Sequence, residues 1–461
     1  MREAELFENS FFRQRLVFLQ ESQWWDREKH EAFQLSELRR ILATAAGHIP
    51  YYIDFFKKAG VGPFDFQTFD DLSRLPLVDK EIIKTRPEDF LSSEVSVEHL
   101  FTRTTGGSTG EPLTVYYDLD FQLRDLANTF YYVSVAGYNP ARHRSIRLYG
   151  DRIVVDEVSG TYWIQENERK LVLSAYHVSE ETCAKYVEKI DEYQPDYIHG
   201  RPSAVVPLCE EIRNLGLRIN TKIGCVYLDG EILPPVQRDL IESVFGCRVY
   251  LTYGHTEGAV MGFSCPESRL MHMTPQVGIV ELLSPDGKLV TEEGEKGEMV
   301  VTGFNNRIFP IIRYRTGDIG TFTRQPCGCG RRYPLLFEIE GRILDYVVSR
   351  DGKVVPLTPA IFNYDAVDWS GVHRFQVVQE KPGELLVKIV VKKDPSFDGI
   401  DLPRRVTEQL SAVLPDGFSL DTQPVVDISR TQRGKYRYLI QHLDLHPYYR
   451  RSGSGSSPAQ V

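Results

Sequence analysis

Lys435 closes the stretch Ser429-Arg430-Thr431-Gln432-Arg433-Gly434-Lys435, a short basic turn near the C-terminus and far from every other polar cluster with chemical character. A lysine so placed serves a distant site only when the segment carrying it closes over that site. Far upstream, Thr104-Thr105-Gly106-Gly107-Ser108-Thr109-Gly110-Glu111-Pro112 has the complementary character: little side-chain bulk, many backbone N–H groups and hydroxyls. Such a loop can cradle phosphate oxygens. It lacks Gly-Lys-Ser/Thr and is not a Walker A loop, and a plain Gly/Ser surface turn is the alternative.

A second constellation pairs Cys265 and His272 with Cys327-Gly328-Cys329. Four soft or borderline ligands in two pairs suit a closed tetrahedral zinc site. The spacing is not that of a CxxC finger, so unconnected reduced thiols are the alternative. A closed site has no open position for chemistry, and this one is expected to pin the β-rich region to the loop after Tyr253. Cys183, Cys209, Cys225 and Cys247 lie in apolar contexts and read as core thiols. The seven cysteines form an odd set, which argues against a disulfide framework.

Elements must hold these groups in place. The 461 residues, 42% hydrophobic, are enough for two or more domains. Apolar residues recur at helical spacing from about Phe33 to Lys58, until His48-Ile49-Pro50-Tyr51-Tyr52 interrupts them. Between about 144 and 252, strand candidates alternate with amphipathic helices: Ser145–Leu148, Leu171–Ala175, helix 180–193, Tyr197–Ile198, helix 204–215, Cys225–Leu228, helix 235–245 and Val249–Thr252. That is α/β patterning, with functional loops expected at strand C-terminal ends. After 275 the pattern changes to hairpins, predicting a β-rich subdomain within the large N-terminal domain. Beyond Gly341-Arg342-Ile343-Leu344-Asp345 a new hairpin, Tyr346–Ser349 with Val354–Val355, opens a small α+β domain of roughly a hundred residues. The expected division is 1–341, a hinge at 342–345, a mobile lid at 346–442 and a flexible tail at 443–461, rich in Gly and Ser over 452–457.

Composition excludes several partners. Lys and Arg total 54 against 64 Asp and Glu, a net charge of -10, which argues against nucleic acid or an anionic membrane. No apolar run approaches the roughly 18 residues of a membrane span. Met1-Arg2-Glu3-Ala4-Glu5-Leu6 is acidic where a signal peptide would be basic and then apolar, so a cytoplasmic chain, monomer or homodimer, is expected.

In order along the chain stand the Gly/Ser/Thr loop, Tyr227-Leu228-Asp229-Gly230-Glu231, Tyr253-Gly254-His255-Thr256-Glu257, Tyr314-Arg315-Thr316-Gly317-Asp318, Gly341-Arg342 and Gly434-Lys435. This series resembles the adenylate-forming superfamily of acyl-CoA ligases, luciferases and adenylation domains. Glu21-Ser22-Gln23-Trp24-Trp25, His48-Ile49-Pro50-Tyr51-Tyr52, Leu75-Pro76-Leu77-Val78-Asp79-Lys80 and His199-Gly200-Arg201-Pro202-Ser203 are similar to its phenylacetate–CoA ligase and CapK-like branch, over roughly residues 20 to 440.

The resemblance implies that a carboxylic acid attacks the α-phosphate of ATP, releases pyrophosphate and leaves an acyl-adenylate that coenzyme A opens. An amine acceptor, as in acylation of an amino sugar, is the second reading. A nucleotide-binding scaffold without chemistry is the third. By resemblance, Thr105, Ser108, Thr109 and the backbones of Gly106, Gly107 and Gly110 grip the β/γ phosphates, although Glu111-Pro112-Leu113 stands where many relatives carry a lysine. Tyr253 stacks on adenine before Gly254, with Gly230 and Glu231 as the opposite wall. Thr256 bonds the α-phosphate, Glu257 holds Mg²⁺, Asp318 takes the ribose hydroxyls and Arg342 a ribose or phosphate oxygen. Lys435 meets the carboxylate and α-phosphate. Asp345 is the hinge position about which the lid rotates, bringing the hairpin Ser349-Arg350-Asp351-Gly352-Lys353 to the site. The resemblance also favours zinc on the Cys/His set. His199, Arg201, Tyr227 and His255, beside the strand ends, are candidates to select the acid. The polar run His199–Ser203 points to an acid with a hydroxyl, amino or second charged group, with core or capping roles as the alternative.

Overall fold

A computed structural model describes residues 3–104, 113–149, 153–156, 158–231, 233–342, 346–357, 361, 367–369, 371–392, 401–428, 437–443, 445 and 448. The N-terminal region folds as helices Ser10–Ser22, Arg27–His48 and Pro50–Ala59. Asn9 and Asp26 cap the first two by accepting from the backbone N–H groups of Phe12 and Lys29. Pro50 opens the third, and Gly60, with φ of 63°, ends it in the left-handed conformation. Helix formation begins at Arg27, ahead of the apolar stripe that announced it, because Asp26 supplies the cap.

Strands β1 (Phe101–Thr104) and β2 (Thr114–Tyr117) pair as a separate antiparallel hairpin. The central sheet is built from β3 (Ser145–Leu148), β4 (Trp163–Asn167), β5 (Lys170–Leu173), β6 (Tyr197–Gly200), β7 (Cys225–Asp229), β8 (Arg248–Gly254), β9 (Met261–Cys265), β10 (Ser268–Met273), β11 (Gly278–Leu283), β12 (Lys296–Gly303), β13 (Tyr314–Phe322) and β14 (Leu335–Arg342). Its order is β11-β12-β13-β14-β10-β9-β8-β7-β6-β3-β5-β4. From β8 through β7, β6 and β3 to β5 the pairing is parallel; from β8 to β11 it is antiparallel. The hairpin strands after 275 thus extend the same sheet, because β9 folds back on β8 with Met261 opposite Gly254.

The parallel half is in register: Ile146, Ile198, Val226 and Val249 form one row, Arg147, His199, Tyr227 and Tyr250 the next. Side chains alternate across a sheet, so these rows face opposite sides. The aliphatic row shares a core with residues of helices Glu180–Tyr193, Pro202–Asn214 and Pro235–Phe245. On the other face, Tyr227 and Tyr250 join Tyr131 and Tyr132 of helix Leu119–Val135.

The C-terminal part has its own sheet, ordered β19-β18-β17-β20, from β17 (Val372–Lys381), β18 (Glu384–Val391), β19 (Ser419–Pro424) and β20 (Leu439–Gln441), preceded by the hairpin β15 (Tyr346–Val348) and β16 (Val354–Pro356). Helix Leu402–Val413 covers it through a separate core containing Val377, Val387, Val406 and Leu410. The tail expected from 443 is in fact packed at its start: Leu445 is 2% exposed and shares a small core with Ile319, Tyr346 and Val348. An apolar side chain at that point gains more from burial than the loose chain does from freedom. Among the described residues no helix is long and apolar enough to cross a membrane.

Candidate active site

Parallel register brings the C-terminal ends of β3, β6, β7 and β8 to one edge, where the pairing also changes sense, a position that favours ligand binding. Among the described residues, most of those singled out in the sequence, the Cys/His cluster aside, lie there. Tyr253, at the end of β8, donates from its hydroxyl to Asp318 Oδ2 at 2.5 Å. Asp318 lies directly opposite Arg342 across the β13–β14 pair. Immediately after Gly254, His255 Nδ1 stands 2.9 Å from Glu257 Oε2, both side chains being buried. Tyr314, from β13, donates to the other oxygen, Oε1, at 2.8 Å. Burial alone would push the Glu257 carboxyl up; the His255 ring, its hydrogen bond, the Glu257 backbone N–H and the Tyr314 hydroxyl outweigh it and hold the group at about 2. The site therefore carries a fixed buried anion. Gly258 ends this loop with φ of +69°, and a Cβ there would lie 2.3 Å from the Phe121 ring, so loop and helix Leu119–Val135 interlock.

The next strand ends hold a polar aromatic group. His199 Nε2 is 3.0 Å from Asp229 Oδ2, and Tyr149 donates to Asp229 Oδ1. The His199 ring is edge-on to Tyr149 at 5.1 Å and to Tyr227 at 5.0 Å. The guanidinium groups of Arg147 and Arg201 lie 4.2 and 4.5 Å from the Tyr149 ring centre. Tyr227 is buried in the tyrosine-rich core, and burial pushes its hydroxyl up. Gly230 follows with φ of 70°, a conformation that favours glycine. The Glu231 carboxylate turns away from this edge: it accepts from Ser203 N at 2.8 Å and Ser203 Oγ at 2.9 Å, capping helix Pro202–Asn214. Only the backbone of the Gly230-Glu231 turn is then available as a wall.

Thr256 sits between His255 and Glu257 and is partly exposed. Thr105, Gly106, Gly107, Ser108, Thr109, Gly110, Asp345 and Lys435 lie outside the described residues, as does the side chain of Arg342. Arg147, Tyr149, Asp229 and Tyr314 were not singled out in the sequence. The signal for Tyr149 was its place one residue beyond a strand aligned with the one that carries His199.

Away from this edge, the ligand atoms of Cys265, His272, Cys327 and Cys329 lie within 4.8 Å of one another. Cys265 and Cys327 Sγ are 3.4 Å apart, and Cys329 Sγ is 3.8 Å from His272 Nε2. A tetrahedron with Zn–S of about 2.3 Å has edges of about 3.8 Å, so the set fits zinc. Burial, helped by Arg331, holds His272 down at about 4, in the neutral form that ligates metal. Its position corrects one expectation. Cys265 is at the far end of β9 from Met261, about 13 Å away at strand rise, so the cluster does not pin the Tyr253 loop. It fastens the β9–β10 hairpin to the loop before β14, and Arg331 of that loop donates to Gln23 Oε1 at 2.9 Å and lies over Trp24, holding the end of the N-terminal helix.

Residues 347–442 match the family model of the CapK C-terminal domain. Over 348 residues the chain is 26% identical to a phenylacetate-coenzyme A ligase of Thermus thermophilus, covering 74% of this chain and 76% of the relative. It is 23% identical to Protein CapK of Staphylococcus aureus over 425 residues, 90% of this chain and 91% of the relative. In fold it is similar to 2-hydroxyisobutyryl-CoA ligase solved in the postadenylation state, with a TM-score of 0.69, 20% identity and 93% of each chain covered. With the tyrosine, glutamate and aspartate of the ordered motifs gathered at one sheet edge, these similarities support the resemblance to the adenylate-forming superfamily, in its phenylacetate–CoA ligase and CapK-like branch.

Proposed function

We propose that this protein is an AMP-forming ligase that activates a carboxylic acid with ATP and transfers the acyl group to coenzyme A. The observation that carries this reading is the gathering of Tyr253, Asp318, Glu257 and the His199–Asp229 group at the edge where parallel strands end. The acid's carboxylate oxygen attacks the α-phosphorus and the bond to pyrophosphate breaks. The thiolate of coenzyme A then attacks the acyl carbon and AMP leaves with the bonding pair. Neither step needs a side-chain nucleophile; positioning and charge stabilisation suffice.

Asp318, held by Tyr253, is suited to accept from ribose hydroxyls, and the Tyr253 ring would then lie against the base with the Gly230 turn opposite. Glu257 is the residue for Mg²⁺: Tyr314 and His255 each occupy one lone pair, and a carboxylate has further ones to offer a hard cation that screens phosphate charge. Thr256 and the 105–110 loop would bond phosphate oxygens. Lys435 would bring a cation to this edge, carried on a lid bounded by residues 346 and 442 and hinged at 342–345. We assign zinc to the four-ligand cluster, in a structural role, and a cytoplasmic location. A second reading, transfer to an amine, is favoured by the similarity to CapK along 90% of the chain.

Carboxylate-dependent exchange of labelled pyrophosphate into ATP, run over a panel of acids, tests the first half. No exchange with any acid would sink the reading. For active acids, AMP release that requires coenzyme A selects the thioester; release that requires an amine selects the amide.

A further inference from the structure

Among the described residues, two that are not glycine have a backbone in the left-handed region: Gln194, which ends helix Glu180–Tyr193, and Arg313, with φ of 48°, which ends no helix. That conformation is costly for a residue with a side chain and persists where the surroundings over-determine it. Around Arg313 they do. Its guanidinium meets Glu281 of β11 with two nitrogens, Nη2 reaching Oε1 at 2.9 Å and Nε reaching Oε2 at 3.1 Å. The third nitrogen, Nη1, donates to the carbonyls of Ser73 and Leu75 at 3.3 and 3.0 Å. Its backbone N–H donates to Thr302 Oγ1 at 3.0 Å, and its carbonyl accepts from Val78 N at 3.0 Å. The two side chains are 7% and 11% exposed. For stability alone, apolar residues of the same volume would serve as well as such a buried pair; what the pair adds is direction. The next residue is Tyr314, whose hydroxyl donates to Glu257 at 2.8 Å. Tyr314 lies between Val301 of β12 and a bridge to Val78, and the Val78 carbonyl accepts from Arg315 N at 2.8 Å. The motif Leu75–Lys80, which has no role at the site itself, thus brackets Tyr314 and is fastened there by Arg313.

We propose that Arg313 and Glu281 are the positioning pair of the metal-binding carboxylate: they fix the backbone turn that aims Tyr314 at Glu257, and so hold the remaining lone pairs of Glu257 where Mg²⁺ is received. This rests on the ligase reading above, in which Glu257 holds the metal. Neither residue touches substrate, and each acts through Tyr314.

The test uses two replacements. Arg313→Gly combined with Glu281→Gln tolerates the left-handed turn and leaves no unpaired carboxylate in the core, so that only the fixing is lost. Arg313→Lys keeps the charge but not the fork, and secures folding should the pair replacement not fold. In pyrophosphate exchange the pair replacement should raise the KM for Mg²⁺ by about tenfold and Arg313→Lys by less, with kcat within about threefold of wild type. Tyr314→Phe alone should raise it as far, and adding the pair replacement to Tyr314→Phe should raise it no further. A lower melting temperature with an unchanged KM for Mg²⁺ would mean that the pair only stabilises the fold and overturns the proposal. Losses that simply add to those of Tyr314→Phe overturn it as well. Crystal structures of the metal-free proteins supply a readout apart from activity: the Tyr314 hydroxyl should leave hydrogen-bond reach of Glu257 in the variant, and an unmoved hydroxyl overturns the proposal. If no acid supports exchange in the wild type, the ligase reading has failed, and this structural comparison alone decides whether the pair aims Tyr314.

Discussion

Glu257 shows what a single residue contributes here. It is 6% exposed, yet its carboxyl is held at about 2 by partners that come from both sides of the chain, His255 two residues away and Tyr314 from a different strand. Such an anion is kept charged for a purpose, since an unpaired buried charge is costly and a neutral residue would pack there more cheaply. Glu257→Gln keeps the volume and can still accept from Tyr314, but removes the charge offered to Mg²⁺. Pyrophosphate exchange should fall by about a hundredfold while the circular dichroism spectrum is unchanged; activity within threefold of wild type would remove Glu257 from the mechanism. Its candidacy was legible because a glutamate at a fixed step after Tyr253-Gly254 belongs to an ordered series of motifs. Tyr314 was not, because a tyrosine inside a strand reads as core until the partner from a distant loop is seen. Glu231 shows another case: it stands in one of the ordered motifs, but a helix N-terminus beside it competes for the carboxylate and wins.

At the scale of elements, the site depends on how three units are fixed to the sheet. The His255–Glu257 loop is locked by Gly258, where both the positive φ and the Phe121 ring exclude a side chain. Gly258→Ala should lower the melting temperature and cut exchange at least tenfold, because relieving the clash moves Glu257; a variant with wild-type melting and rate would show that the loop is free to shift. The N-terminal helix Arg27–His48 is fixed partly by His30, whose ring packs edge-on to Tyr333 at 5.2 Å with Gln276 Nε2 at 3.4 Å from its Nδ1. Burial is the main cause that takes His30 down to about 4, with Lys29 adding and Asp26 opposing. A base whose folded pKa lies below its unfolded value binds fewer protons when folded. Its contribution is complete above about 6.5 and is lost as pH falls towards 4, by up to about 3 kcal/mol. His30→Gln should flatten the fall of melting temperature over that window; an unchanged slope would mean that the ring is not buried. The third unit is the β9–β10 hairpin with the four-ligand cluster to which we assign zinc. Stripping the metal with a strong chelator, or Cys329→Ser, should release stoichiometric zinc and lower the melting temperature by several degrees, the size expected when a cross-link of this kind is lost. A protein that purifies without zinc and melts unchanged would dismiss the metal. The two ligand pairs were readable from their residue types. Their distance from the nucleotide edge was not, because sequence spacing does not give the direction in which β9 runs relative to β8.

The molecule has two separate cores, one around the twelve-stranded sheet and one around the four-stranded sheet, and the proposed reaction requires them to move as bodies. The alternation of strands and helices made the first legible, and the new hairpin after Asp345 marked the second. The continuity of the antiparallel strands with the parallel ones was hidden, since pairing between β9 and β8 is a tertiary choice. The contacts between the two bodies include polar ones: Gln237 of helix Pro235–Phe245 donates to the Tyr438 hydroxyl at 3.1 Å, and Ile319 packs with Val348 and Leu445. Tyr438 follows Lys435 by three residues, and the helix it touches follows the Gly230-Glu231 turn of the site. Tyr438 is thus tethered to the helix that follows the candidate site edge by a contact weak enough to break, worth about 1 kcal/mol for a hydrogen bond of this kind. In the proposed mechanism Lys435 would act where negative charge builds between carboxylate and α-phosphate and would be dispensable once the adenylate has formed. Lys435→Ala should therefore reduce pyrophosphate exchange by a hundredfold or more with little change in the KM for ATP, and should slow thioester formation from chemically prepared acyl-adenylate far less. Equal losses in the two half-reactions would place Lys435 in general binding. No loss in either would mean that the lid serves the site without it, and that the charge facing Glu257 and the phosphates comes from another part of the chain.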